Sequence, residues 1–411
     1  ALQIQKTEIK SKRRAWLMMS LIVNLGALFL FKYLNFFADS TRAIFEQFNI
    51  FYGSPAFNIL LPVGISFYTF QTLSYTIDVY RGSMKAEKDY ALFALYVSFF
   101  PQLVAGPIER ATNLLPQLSK FNKFDYQRIA SGLRLMLWGM LKKVVVADRL
   151  AIYVNQVYNN VDDYSGLPLL FATVFFAFQI YADFSGYSDI AIGGARVMGV
   201  DLMTNFKRPY LSRSIKEFWA RWHISLSTWF RDYLYIPLGG NRVVKWRWYY
   251  NLFITFLISG LWHGANWTFV IWGALHGTYL IAEIFIKNKQ FTAEIPFKVK
   301  HAFRVVVTFA FVLVSWVFFR ANSIQDVGYI MTNVWDIAKG GIIGVPIFST
   351  EAFIQCFIAI GVLFFADLIY DTMRTAFTPN KVFFYLIVVL QIVAIYMFGV
   401  FEEQEFIYFQ F

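Results

Sequence analysis

Four histidines, His223, His263, His276 and His301, stand among the 411 residues. Imidazole is the side chain that changes charge near neutral pH, so these are the first candidates for acid–base chemistry. No two have the H-E-x-x-H spacing, and no Cys/His cluster or EF-hand loop accompanies them, so no metal site is expected. The chain also lacks a G-x-S-x-G elbow and a Walker loop. Its single cysteine, Cys356, lies in an apolar run, which excludes a disulfide framework and predicts a buried core thiol.

His263 (in Gly260-Leu261-Trp262-His263-Gly264) and His276 both fall within Trp248–Ala282, 35 residues without Asp, Glu, Lys or Arg. An ionisable ring in a membrane segment is costly, which makes each a functional candidate. The alternative is a neutral histidine bridging two helices, with Gly260/Gly264 and Gly273/Gly277 as packing notches. On one straight helix the two rings would sit on nearly opposite faces, so they share a site only if the chain bends. His301 follows Lys298 and Lys300 and reads as a headgroup-level flank. Asp183 and Asp189 read as the end of another apolar segment, where they pair with a cation, orient a histidine or face the aqueous boundary.

The elements that must position these residues follow from composition. The chain is 58% hydrophobic, 20% aromatic and 15% charged, against about 25% charged in an ordinary soluble domain. Mean hydropathy is +0.49. This predicts an all-α, polytopic membrane protein, a single multi-spanning domain over residues 1–411. The uncharged or nearly uncharged segments are Trp16–Phe31, Ile59–Ile77, Tyr90–Ile108, Ile129–Val154, Tyr164–Ala182, Trp248–Ala282, Val305–Phe319, Ala352–Ala366 and Val382–Phe401. At about 20 residues per crossing they predict about nine or ten spans, with re-entrant or interfacial helices. Trp248–Ala282 is too long for one crossing and is expected to break at Gly264-Ala265-Asn266. The net charge of +11 then points to cytoplasmic loops and anionic lipids rather than to nucleic acid. Lys6–Arg14 reads as a cytoplasmic flank, and because the chain starts at Ala1, preceding segments are expected to be missing.

Between Lys207 and Arg247 nine Lys/Arg stand against only Glu217 and Asp232. Trp219, Trp222, Leu226, Trp229, Phe230 and Tyr233 recur there at three- and four-residue steps, which predicts an amphipathic helix. The region, about 205–247, is either an interfacial helix with an aromatic belt or a cytoplasmic anion site, and the two are compatible.

Three runs within this frame carry a resemblance: Glu217-Phe218-Trp219-Ala220-Arg221-Trp222-His223-Ile224-Ser225, Arg231 to Arg242 with Ile236-Pro237-Leu238-Gly239-Gly240-Asn241-Arg242, and Gly260-Leu261-Trp262-His263-Gly264. Together with Leu61–Phe67, Ala105–Arg110, Tyr181–Tyr187 and Glu405–Phe409 they resemble the membrane-bound O-acyltransferase family, in its bacterial alginate O-acetyltransferase branch. The resemblance implies that His263 is a general base and His223 a second catalytic or orienting histidine. Arg221, Trp222, Arg231, Asp232, Asn241, Arg242, Trp262, His276 and Asp183 become candidate donor-binding or supporting residues. The implied reaction moves acetyl groups from cytoplasmic acetyl-CoA towards an extracytoplasmic polysaccharide of alginate, cellulose or peptidoglycan type. It implies no tightly bound cofactor, a location in the bacterial cytoplasmic membrane, and an extracytoplasmic Ser/His/Asp-type transferase as partner. A D-alanyl or lipid acyltransferase of the same family is the alternative, and a proton-coupled transporter is the alternative of another class.

Overall fold

In the computed structural model, residues 1–51, 62–287, 297–337, 349–375, 381–401 and 406–407 are described. Every regular element among them is helical. The start of the expected Ile59 segment and most of Glu405–Phe409 lie outside these residues.

Among the described residues, four helices are long and apolar enough to cross a membrane: Lys10–Gln47, Leu167–Val197, Trp267–Ile286 and His301–Arg320. Thr350–Phe365 and Tyr385–Phe398 are shorter apolar helices. Other expected spans are interrupted. Tyr90–Ile108 breaks at Phe99 into Tyr90–Ser98 and Phe100–Leu103, with Pro101 in the first turn of the second piece. Ile129–Val154 runs on as helix, but through a π-helical segment at Lys142–Ala147 that brings the two lysines inward. A π turn also divides Lys10–Gln47 at Phe29–Tyr33. Single π turns inside longer helices recur at functional sites.

The 31-residue Leu167–Val197 helix is the axis of the molecule. It lies antiparallel to Tyr126–Leu141 along a glycine seam. A Cβ at Gly139 would stand 2.5 Å from the Gly186 carbonyl oxygen, and one at Gly132 would stand 2.6 Å from that of Gly193. Only glycines allow backbones this close, and the paired seven-residue spacings are the sequence trace of the contact. Asp183 and Asp189 therefore do not end a segment. They lie mid-helix, where Lys143 binds Asp183 at 3.0 Å and Asp148 at 2.7 Å, and Lys142 binds Asp189 at 2.8 Å. The Ile407 amide donates to Asp183 at 2.8 Å, which ties the far end of the chain to this axis.

The long uncharged stretch breaks where expected. Lys245–His263 ends at His263, and Trp267–Lys287 returns alongside it. Asn266 caps the second helix by accepting from the Thr268 amide at 3.1 Å. Gly260 and Gly273 form the crossing, since a Cβ on Gly260 would lie 3.0 Å from the Gly273 Cα. Gly264, read from sequence as a helical notch, is instead extended backbone beyond the helix end.

The basic region departs most from expectation. It is not one amphipathic helix but Ile215–Trp219, Ile224–Phe230 and a π turn at Arg231–Tyr235. Its aromatic side does not form an interfacial belt either. Trp219, Trp222, Leu226, Trp229 and Phe230 are all buried, with Trp222 only 2% exposed. Packing against helices elsewhere in the chain satisfies these rings, which the local period cannot reveal.

Candidate active site

His263 occupies the last position of its helix and is buried among Trp262, Trp272 and Phe319, with ring centroids 4.9, 4.9 and 5.4 Å away. Its backbone is held from another part of the chain. The Lys32 ammonium, in the first π turn, donates to the carbonyls of both Trp262 and His263 at 2.9 Å. A cation at a helix C-terminus satisfies carbonyls that lack intrahelical partners and complements the dipole. Sequence reasoning passed over Lys32. The available signal was a lone charge directly after the apolar Ala27–Phe31 run.

His223 is fully buried and breaks the helix in which it was expected to sit. Its φ of 42° lies in the left-handed region, which costs a non-glycine residue of order 1–3 kcal/mol and persists only when the surroundings enforce it. Asn205 does the enforcing. Its carbonyl accepts from the Ile224 amide at 2.9 Å, and its Oδ1 accepts from the Ser225 amide at 3.2 Å and the Ser225 hydroxyl at 2.9 Å. The same Oδ1 lies 3.2 Å from His223 Nδ1. An amide oxygen is an acceptor, so the bond requires the proton on Nδ1 and leaves Nε2 as the basic nitrogen. A row of rings leads from one histidine to the other: Phe67 lies 6.5 Å from His223 and 5.7 Å from Trp262, and Trp262 lies 4.9 Å from His263.

The bend brings His276 to the same region without joining it to His263. Trp272 separates them, 4.9 Å from each ring. Trp219 Nε1 donates to His276 Nδ1 at 3.2 Å, the arrangement of a packed core histidine. His301 lies at the start of the His301–Arg320 span.

The remaining candidates divide by place. Trp262 stacks on Phe70 at 5.0 Å and supports His263, while Trp222 packs between Phe218 and Trp316. Arg221 is held by Glu217 at 2.6 Å. Burial works against the Glu217 carboxylate, but the Arg213 amide and the Arg213 and Arg221 guanidiniums outweigh it and hold its pKa below the ordinary value. Arg231 and Asp232 belong to a separate cluster in which Arg81 and Arg110 lie 5.2 and 4.9 Å from the Tyr233 ring, with Arg110 3.7 Å from Asp232. Asn241 and Arg242 are exposed in the turn before Lys245. Asp183 is a structural ion-pair partner.

The described residues thus hold several helices apolar enough to cross a membrane, a buried histidine at the break of a helical hairpin, and a second buried histidine beyond Phe67 and Trp262. Sequence comparison supplies the family. The profile of the membrane-bound O-acyltransferase family matches residues 86–325, more than half of the chain, and the chain belongs to that family. It is 45% identical over 312 residues to a probable alginate O-acetylase, AlgI, of Azotobacter vinelandii, covering 75% of this chain and 60% of that protein. It is 36% identical over 352 residues to a peptidoglycan O-acetyltransferase of Helicobacter pylori, covering 79% and 66%. A teichoic acid D-alanyltransferase of Bacillus subtilis is 27% identical over 284 residues, covering 65% and 71%. The chain thus spans about 60% of the length of the alginate relatives it matches.

Proposed function

We propose that the chain is a membrane O-acyltransferase of the bacterial cytoplasmic membrane that moves acetyl groups from cytoplasmic acetyl-CoA towards an extracytoplasmic polysaccharide of alginate, cellulose or peptidoglycan type. The observation that carries this reading is the seat of His263, buried at a helix end between Trp262 and Trp272 with its carbonyl clamped by Lys32. His263 acts as general base. It takes the proton of the acceptor hydroxyl as that oxygen attacks the thioester carbonyl; the C–S bond breaks, and the thiolate recovers a proton to leave as free coenzyme A. Aromatic packing around the imidazole excludes water that would hydrolyse the thioester. His223, fixed by Asn205, orients the reacting groups from the far side of Phe67.

The transmembrane domain fills residues 1–411 with about nine or ten passes, in contact with lipid, and needs no tightly bound cofactor. Its chemistry stays inside the bilayer, so delivery to a polymer falls to an extracytoplasmic Ser/His/Asp-type transferase. The relatives named for alginate and peptidoglycan acetylation support an acetyl group; the D-alanyl relative, at lower identity, supports the second reading. Purified protein in detergent should release thiol from acetyl-CoA, and His263→Ala should not. Absence of release by the parent sinks the reading and favours a transporter. In liposomes, polymer acetylation by this chain alone would remove the partner from the scheme.

A further inference from the structure

Trp262 and Trp272 stand next to His263, each ring centroid 4.9 Å from the imidazole, and they are only 5% and 1% exposed. An indole nitrogen can donate a hydrogen bond but cannot accept one, and when buried it usually finds an acceptor. Buried tryptophans elsewhere in the chain do so: Trp219 donates to His276 Nδ1, Trp229 to the Phe70 carbonyl at 3.0 Å, and Trp316 to the Tyr210 hydroxyl at 3.2 Å. Among the described residues, the buried indole nitrogens left without a partner are those of Trp262 and Trp272. Polar groups on the same hairpin do not take them up. Because Trp219 donates to His276 Nδ1, the neutral His276 ring carries its proton on Nε2, which is itself a buried donor without a partner. Thr268 Oγ1, one turn before Trp272, is buried and unbonded as well. Rings pack against both indoles, Phe67 and Phe70 at Trp262, and Trp316 and Phe319 at Trp272. A buried donor with no acceptor has given up its bond to water for nothing, so two of them beside one histidine call for a ligand that accepts.

We propose that the indole N–H groups of Trp262 and Trp272 donate hydrogen bonds to the thioester carbonyl oxygen as it becomes an oxyanion, a role that rests on the acyltransferase reading. Acyl transfer creates an acceptor at this place. As the hydroxyl oxygen bonds to the acyl carbon, its proton passes to His263 and the carbonyl electron pair moves onto the carbonyl oxygen. When that pair returns, the C–S bond breaks and the thiolate takes the proton back from His263. A hydroxyl held about 3 Å from the imidazole nitrogen puts the oxyanion about 4–5 Å from it, which is the separation of the two indoles from the ring. Neutral donors already fixed by packing need no reorganisation when the charge develops, and in a water-excluded setting each is worth more than in solution. The indoles keep their protons throughout.

The test uses the full chain in detergent, with benzothienylalanine placed at position 262 or 272 by nonsense suppression. This analogue keeps the shape of tryptophan and carries sulfur where indole has N–H. Thiol release from acetyl-CoA should lose about 10²–10³-fold in kcat at each position, the range for one missing oxyanion donor, with KM within about twofold of the parent. The melting temperature should hold, because an N–H without a partner contributes no bond to the fold. Trp262→Phe and Trp272→Phe, which also remove the N–H, should show the same split between kcat and KM. Parental kcat with both analogues overturns the proposal. So does a rise in KM alone, which would mean a ground-state contact, or a fall in kcat that merely follows a fall in melting temperature, which would mean packing. A loss at one position only keeps that indole as the donor and strikes the other. A parent that releases no thiol defeats the acyltransferase reading and this role with it, whereas an active parent with active analogues strikes the indoles alone.

Discussion

His263 and Lys32 act at different levels, and mutation should separate them. Replacing a general base costs about 10²–10⁴-fold in rate, so His263→Ala should abolish thiol release from acetyl-CoA while the purified protein keeps its elution volume. Turnover at the parental rate would dismiss the base assignment. Lys32 holds the two carbonyls of the His263 turn and lies 6.0 Å from the Trp262 ring. Lys32→Met leaves two acceptors in a low-dielectric place without their charged donor, and should lower kcat by about tenfold or more with KM little changed. Lys32→Arg should recover part of that loss. A Lys32→Met variant with altered KM alone would show that the lysine binds substrate instead of holding the histidine. His223→Ala removes the ring from the Asn205 anchor, and should leave measurable but reduced turnover.

Two helix pairs carry the site, and both depend on groups too small or too charged to substitute freely. At the Lys245–His263 and Trp267–Lys287 crossing, Gly260→Val would drive a branched side chain into the Gly273 backbone. Overpacking of this kind costs about 1–3 kcal/mol, so the melting temperature in detergent should fall and turnover should fall with it. Full retention of both would mean that the hairpin tolerates wider spacing than its geometry indicates. In the π turn, Lys143 pairs with both Asp148 and Asp183. Lys143→Met strands two mostly buried carboxylates, and breaking such pairs costs about 3–5 kcal/mol. Adding Asp183→Asn should restore part of the lost stability, since it removes one stranded charge. A double variant no more stable than the single would argue against a charge origin.

At the scale of the whole molecule, the basic stretch bears on orientation. Its positive charge opposes translocation, and we propose that it lies on the cytoplasmic side. Cys356 is buried, and Cys356→Ser provides a background free of other thiols. Val244 is 62% exposed and stands at the edge of this region. Val244→Cys in that background should resist a membrane-impermeant maleimide applied to intact cells and react once the membrane is opened. Ready labelling from outside would invert the topology and with it the side from which the donor enters.

Much of this was legible from residues in order. The absence of charge over Trp248–Ala282 set a length that no single crossing can use, and Gly264-Ala265-Asn266 was the local weak point, so the break and the seat of His263 followed from the chain itself. The motif around Trp262 and His263 likewise singled out the histidine to examine. Contacts between distant segments were another matter. Lys32 meets His263 across 231 positions, and Asp183 meets Ile407 across 224. A helical period reports which residues share a face, but not whether that face meets water, lipid or another helix. For that reason the aromatic row from Trp219 to Phe230 suggested an interface and proved to be core. Charge carries the same ambiguity: Lys142 and Lys143 looked like interruptions of a span, and the carboxylates of Asp148 and of the Leu167–Val197 helix made them part of its interior.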